Sequence, residues 1–237
     1  MKGDAISLRR FEWLLTQRAC TFEPEERVFS RIPNRGKQPD FFVTFPDGRG
    51  AVAEVESFEK PTILRTTTAR VISVGHMSLQ KRINRAVRHA AEQLAPYADL
   101  GIPLLVVLDN HRQVGLQLKR HELVSLFGEQ RIVLTLDTAT GKQIGEPVLQ
   151  HEEDGSPFAG GARAFVSAVI VNEPVYRFDD FDKTDDFTQE RPMRARIIHH
   201  PHAQTPLPLE VFAMDEQIVY RDERWNEAPR PDGRDEL

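Results

Sequence analysis

The sequence predicts an α/β (α+β) fold, a central mixed β-sheet flanked by helices and continued by a β-rich C-terminal extension. Three stretches in succession carry that expectation: a hairpin from Pro39 to Phe58, an amphipathic helix from Ser78 to about Leu94, and the unbroken apolar run Leu104 to Leu108. Phe41-Phe42-Val43-Thr44-Phe45 is aromatic and β-branched, and Asp47-Gly48 supplies the turn chemistry that lets the chain reverse into Ala51-Val52-Ala53-Glu54-Val55-Glu56. In the helix, Leu79, Ile83, Val87, Ala90, Ala91 and Leu94 form one apolar stripe behind a Ser78 cap. An apolar run without alternation suits a strand covered on both faces, so the helix reads as a right-handed crossover between strands of one sheet.

The remaining elements fit around this centre. Ile6 to Arg18 places Leu8, Phe11 and Leu15 at helical spacing, with Glu12 among its polar residues. Glu23 to Arg27 and Ile32 to Gln38, broken by Pro24 and Pro33, read as connection, and Thr62 to Gly75 as a lid loop or an irregular strand. Lys119 to Phe127 is a short helix closed by Gly128, and Arg131 to Leu136 with Pro147 to Leu149 a second hairpin extending the sheet. Phe158 to Arg163 leads into an apolar strand, Ala164 to Val171, and Arg194 to Ile198 is a late strand. Leu207 to Phe212 packs back on the core. The core is expected over residues 1–150, with the hairpin at 39–58, the helix at 78–95 and the strand at 103–109. The extension occupies 151–220, and the charged, Pro-containing stretch 221–237 reads as a disordered tail.

Composition excludes several classes. The 237 residues are 40% hydrophobic and 28% charged, which suits a soluble globular chain. No run approaches the ~18 apolar residues of a transmembrane helix. Cys20 is the only cysteine, so an internal disulfide is impossible and a reducing cytoplasm is the expected setting. The net charge of −5 does not mark a nucleic-acid binder, yet Arg65, Arg70, Lys81, Arg82, Arg85 and Arg88 form an acid-free basic strip beside the hairpin, where a phosphate backbone would lie.

The hairpin carries the chemistry. Alternation puts Val52, Glu54 and Glu56 on one face of the second strand and Ala51, Ala53, Val55 and Ser57 on the other. Two carboxylates on one face of an apolar strand repel each other and are costly to desolvate unless a cation joins them, and Asp40 opens the neighbouring strand where it would complete the set. A divalent metal held by Asp40, Glu54 and Glu56 would satisfy all three. If the acids are instead the wet face of an ordinary hairpin, Glu54 and Glu56 should be largely exposed and far from Asp40.

These residues resemble the PD-(D/E)XK nuclease superfamily, whose pattern is Pro-Asp on one strand followed by acid, any residue and Lys on the next. Pro39-Asp40 matches the first part and Glu54-Val55 the second, while Glu56 stands where the family has its lysine. The resemblance implies a restriction-endonuclease-like core that hydrolyses phosphodiesters with Mg²⁺ or Mn²⁺, with Asp40 and Glu54 as metal ligands and Glu56 as a further ligand or a base toward water. Lys60 or Lys81 would replace the missing lysine. Gln93-Leu94-Ala95-Pro96-Tyr97 is similar to the Gln-x-x-x-Tyr motif of RecB-like members, which implies that Gln93 acts at the site and Tyr97 meets a nucleotide. Arg82 and Arg85 would grip the backbone of the nucleic acid, with DNA the expected form and a homodimer the possible assembly. The alternative is a catalytically inactive nuclease-fold module that binds nucleic acid or another partner, motivated by Glu56 itself.

Elsewhere the chemistry is thinner. Asp109-Asn110-His111 reads as a turn or as residues lining the same sheet edge, Asp179 to Asp186 as a solvated acidic loop, and His199-His200-Pro201-His202 as a strand-end turn or a zinc or nickel site.

Overall fold

The computed structural model describes residues 5–57, 77–109, 118, 120–133, 140, 143–145, 148–152, 156–175, 190–221 and 224–228. Its centre is an eight-stranded mixed sheet in the order β1-β2-β3-β4-β7-β8-β9-β10. These strands are β1 (Thr21–Pro24), β2 (Phe41–Thr44), β3 (Gly50–Ser57), β4 (Leu104–Asp109), β7 (Ala168–Pro174), β8 (Met193–His199), β9 (Glu216–Arg221) and β10 (Arg224–Glu227). A separate antiparallel pair, β5 (Glu129–Val133) and β6 (Val148–Glu152), stands outside that sheet rather than extending it.

β1, β2 and β3 pair antiparallel, β3, β4 and β7 run parallel, β8 reverses, β9 runs parallel to β8 and β10 returns antiparallel to β9. The expected mixed sheet is therefore present, and β7 to β10 continue it strand by strand beyond β4.

Helices cover both faces, as the unbroken burial of β4 requires. On one face α1 (Ala5–Gln17) packs Phe11, Leu14 and Leu15 against Phe41, Val43, Ala51, Ala53, Val55, Leu105 and Val107. On the other α3 (Met77–Leu94) packs Ile83, Val87, Ala90, Ala91 and Leu94 against Val52, Val106 and Leu108. The two faces thus take alternate residues of the same strands, which is the period-two rule applied twice. The β2–β3 turn closes through Phe45 N–H to Arg49 O at 2.8 Å, with Gly48 at φ 85°, a conformation glycine adopts without a Cβ penalty.

Three expectations are corrected. Glu23 to Arg27, read as connection, falls instead in the edge strand β1 (Thr21–Pro24) and in a helical turn, α2 (Glu25–Val28); Pro24 is tolerated because it ends an edge strand. The expected tail from residue 221 onward contains β10, whose charged sequence is ordered by pairing with β9 and by Trp225 against Phe127 and Tyr220. The strand expected from Ala164 begins at Ala168, after a 3₁₀ turn at Ala159–Gly161. The stretches Thr62 to Gly75 and Asp179 to Asp186, together with Asn110 and His111, lie outside the described residues.

Candidate acidic site on the β2–β3 hairpin

Register decides which carboxylates meet. Phe41 stands opposite Ala53 and Phe42 opposite Val52, so Asp40, one residue earlier, comes level with Glu54 on the face covered by α3. Both acids are 4% exposed. The reading of a wet hairpin face is thereby overturned, since it required an exposed Glu54 remote from Asp40.

The two acids are tied through each other's strand. Val55 N–H donates to Asp40 Oδ2 at 2.8 Å, and Asp40 N–H donates to Glu54 Oε2 at 3.3 Å. Glu54 Oε1 takes no hydrogen bond among the described residues. Burial, then the charges of Asp40 and Glu56, push the Glu54 carboxyl up to about 9, with Glu25 adding to the shift. The Glu54 carboxyl thus keeps its proton at a pH where an exposed glutamate would be ionised.

Glu56 is on the same face and 12% exposed, but its carboxylate is engaged. Its Oε1 contacts His89 Nδ1 on α3, and burial raises the Glu56 pKa while that contact opposes the rise. His89 is the residue that sequence reasoning missed. It flanks the apolar stripe next to Val87 and Ala90, and no local pattern pairs it with an acid 33 positions earlier. Gln93 follows one turn later on the same side of the helix and is partly exposed.

The segment ahead of Asp40 is bound to the C-terminal end of α3. Tyr97 O–H donates to Lys37 O, Lys37 Nζ donates to Glu92 O at 3.0 Å, and Arg35 Nη1 donates to Pro96 O at 2.8 Å while pairing with Asp99. Tyr97 is 0% exposed. The expectation that it meets a nucleotide is therefore corrected: the ring is in the core and its hydroxyl is committed to the main chain. Pro96, in the 3₁₀ turn Ala95–Tyr97 that continues α3, leaves that hydroxyl pointed at the segment before β2.

Of the proposed lysine substitutes, Lys81 is exposed on α3, and Lys60 lies outside the described residues. Arg85 is exposed on the same helix and Arg82 partly so. Glu12 lies on α1, across the sheet from the acids, where burial raises its pKa and its charged neighbours are Arg9 and Glu26.

On that opposite face the end of β4 carries a different arrangement. Arg10 of α1 sits 3.1 Å from Asp109, with 2% and 0% of the two side chains exposed, and Asn172 of β7 donates to Asp109 Oδ1 at 3.4 Å. Asp109 is thus a buried ion-pair partner rather than a turn residue or a companion of Glu54. The histidines are also committed: His199 bonds Gln217, and His200 is set edge-on to both Phe127 and Phe158 while its Nδ1 accepts from His202 N–H. Burial lowers the pKa of both rings.

Among the described residues no cluster of three or more His, Cys, Asp or Glu has the geometry to hold a metal ion. The Asp40–Glu54 pair nevertheless fits a hard divalent cation: both donors are carboxylates, both are buried, and one Glu54 oxygen takes no hydrogen bond among the described residues. Mg²⁺ is commonly bound by one or two carboxylates, with water and substrate phosphate filling the remaining positions. Soft or tetrahedral sites need sulfur or imidazole donors that this pair lacks.

No family model matches the chain, and no curated protein or solved structure is significantly similar to it. Among the described residues no helix is long and apolar enough to cross a membrane.

Proposed function

We propose that the chain is a metal-dependent nuclease with a restriction-endonuclease-like core, acting in the cytoplasm on nucleic acid, DNA in the first instance. The observation that carries this reading is the buried Asp40–Glu54 pair, whose Glu54 carboxyl is pushed up to about 9 by burial and by the charges of Asp40 and Glu56. Such a pair costs stability as scaffold and is useful as a ligand set. The order of elements supports the same reading: a helix, antiparallel strands carrying the acids, a crossover helix and a parallel buried strand.

In this reading Asp40 and Glu54 hold Mg²⁺ or Mn²⁺ through their carboxylate oxygens. The bound ion supplies Lewis-acid polarisation of the scissile phosphate and a more acidic attacking water. Glu56, with Oε1 engaged by His89, has Oε2 left to accept the proton of that water as its oxygen bonds to phosphorus, while the ester bond from phosphorus to the departing sugar oxygen breaks and that oxygen takes a proton from solvent. Lys81, Arg82 and Arg85 meet the phosphate backbone without reading bases, and Gln93 reaches a nucleotide from the flank of α3. A homodimer would bring two such sites to one duplex.

One observation favours a second reading, an inactive nuclease-fold binding module. Glu56 replaces the lysine of the resemblance and is already held by His89. The test is Mn²⁺ calorimetry together with cleavage of plasmid and single-stranded DNA, on the wild type and on Asp40→Ala/Glu54→Ala. Binding and metal-dependent cutting, both lost in the double variant, are expected. Binding without cutting of either substrate selects the module, and no binding at millimolar metal overturns both uses of the pair.

A further inference from the structure

Asp40 immediately precedes β2, and the residues ahead of it are held by two helices. Gln38 Nε2 donates to Glu25 O of α2, and the remaining bonds are made with the end of α3. Tyr97 lies fully buried at the end of that helix and makes its hydroxyl bond to the carbonyl of Lys37, three residues before Asp40. A tyrosine buried for packing alone needs any partner for its hydroxyl; this one selects the main chain that leads into the acid. Around it, Lys37 Nζ to Glu92 O and Arg35 Nη1 to Pro96 O hold the same segment at the helix end from exposed positions. Of these four tethers, the Tyr97 bond is the one made by a fully buried side chain. The others are partly screened by water and correspondingly weaker.

We propose that Tyr97 is a positioning residue for the metal ligand Asp40, acting through the Lys37 carbonyl, and that the Gln-x-x-x-Tyr segment therefore shapes the metal site rather than touching nucleic acid through its tyrosine. This rests on the assignment of Asp40 and Glu54 as ligands. Asp40 Oδ2 already accepts from Val55 N–H, so the carboxylate can serve an ion only if its backbone keeps that register. Freeing Lys37 lets the approach to Asp40 move and weakens the ligand without removing it. Loss of such an outer-shell support typically costs about 10–100-fold in metal affinity.

The test is calorimetric Mn²⁺ binding, with thermal melting in chelator, on the wild type, Tyr97→Phe, Asp40→Asn and Asp40→Asn/Tyr97→Phe. Tyr97→Phe keeps the ring and removes only the hydroxyl. The expected result is affinity about tenfold lower in Tyr97→Phe at the low end of that range, with no further loss from the phenylalanine once Asp40 is asparagine. Wild-type binding with Tyr97→Phe unchanged would overturn the positioning role and leave the metal site standing. Equal losses from the phenylalanine with and without Asp40 would also overturn it, because the effect would then be general. No binding by the wild type would remove the metal site itself, and the inference with it. If Tyr97→Phe does not fold, Lys37→Gly loosens the same segment from its exposed side and is read against Asp40→Asn by the same criteria.

Discussion

His89 Nδ1 meets Glu56 Oε1 across the interface between α3 and β3, so the acid that stands in the expected lysine position has its own partner on the crossover helix. The contact spans two elements that separate on unfolding. Removing either member leaves the other poorly solvated. His89→Ala should lower stability by about 1–3 kcal/mol, the range for a hydrogen bond to a charged group whose partner stays partly buried. Adding Glu56→Gln to His89→Ala should recover part of that loss, because a neutral amide is cheaper to leave unpaired. Urea unfolding of the three proteins measures both effects, and a double variant no more stable than His89→Ala would show that the contact is not what holds Glu56.

Glu54 sets a pH dependence of stability in chelator. Its folded value of about 9 lies above the ordinary 4.5, so between them the folded chain keeps a proton that the unfolded chain has released. Stability from this group is therefore full below about 4.5 and declines as pH rises toward about 9. The charged groups that set the shift are Asp40, Glu56 and Glu25, all acids. Glu54→Gln should flatten this decline, and Mn²⁺ should raise the melting temperature of the wild type but not of the variant. A decline that persists unchanged in Glu54→Gln would assign it to other groups.

Asp40 has a structural duty separate from any metal. Val55 N–H donates to its carboxylate in the sheet interior, so Asp40→Ala orphans a buried donor at a cost of about 1–3 kcal/mol. Asp40→Asn offers a carbonyl oxygen in the same place and should cost less, while removing the charge that a cation needs. Denaturant unfolding with metal titration separates the two duties: asparagine should restore stability relative to alanine while its metal affinity stays weaker than that of the wild type.

Arg10 and Asp109 form the buried ion pair on the opposite face. Removing one member should destabilise by about 3–5 kcal/mol, whereas Arg10→Met with Asp109→Leu, an apolar pair of similar volume, should be far milder. Among the described residues Arg10 Nε, Arg10 Nη2 and Asn172 Oδ1 are buried without a hydrogen-bond partner, so the guanidinium meets Asp109 by charge. Chemical denaturation of the single and double variants checks it; additive losses would contradict the pairing.

The parts of this fold that were legible in the sequence are those whose signal is periodic. Phe41 to Thr44, the Val52/Glu54/Glu56 alternation, the α3 stripe and the run at Leu104 each announce their partner surface by spacing. Asp40 and Glu54 could be matched because a hairpin fixes register locally. Relations that depend on tertiary register left no such signal. His89 reads as one more polar residue of a basic helix, and nothing in the spacing pairs Arg10 with Asp109, which reads as a turn or sheet-edge residue although the two meet in the core. Tyr97 was visible as a motif but its direction was not, since spacing shows which residues share a helix face and not what lies opposite. β10 was missed because Arg224–Glu227 is charged, and edge strands are commonly charged.

The placement of β7 has a consequence for how the chain can be handled. β4 is flanked by β3 on one side and by β7, far along the sequence, on the other. A fragment ending near residue 150 would keep the acids and both covering helices, yet it would leave the Leu104–Asp109 backbone unpaired along one side. That is a flat, apolar template for intermolecular strand addition. The acidic hairpin and the last strands are thus parts of one cooperative unit, and attempts to express the site alone should yield aggregates rather than a smaller working protein.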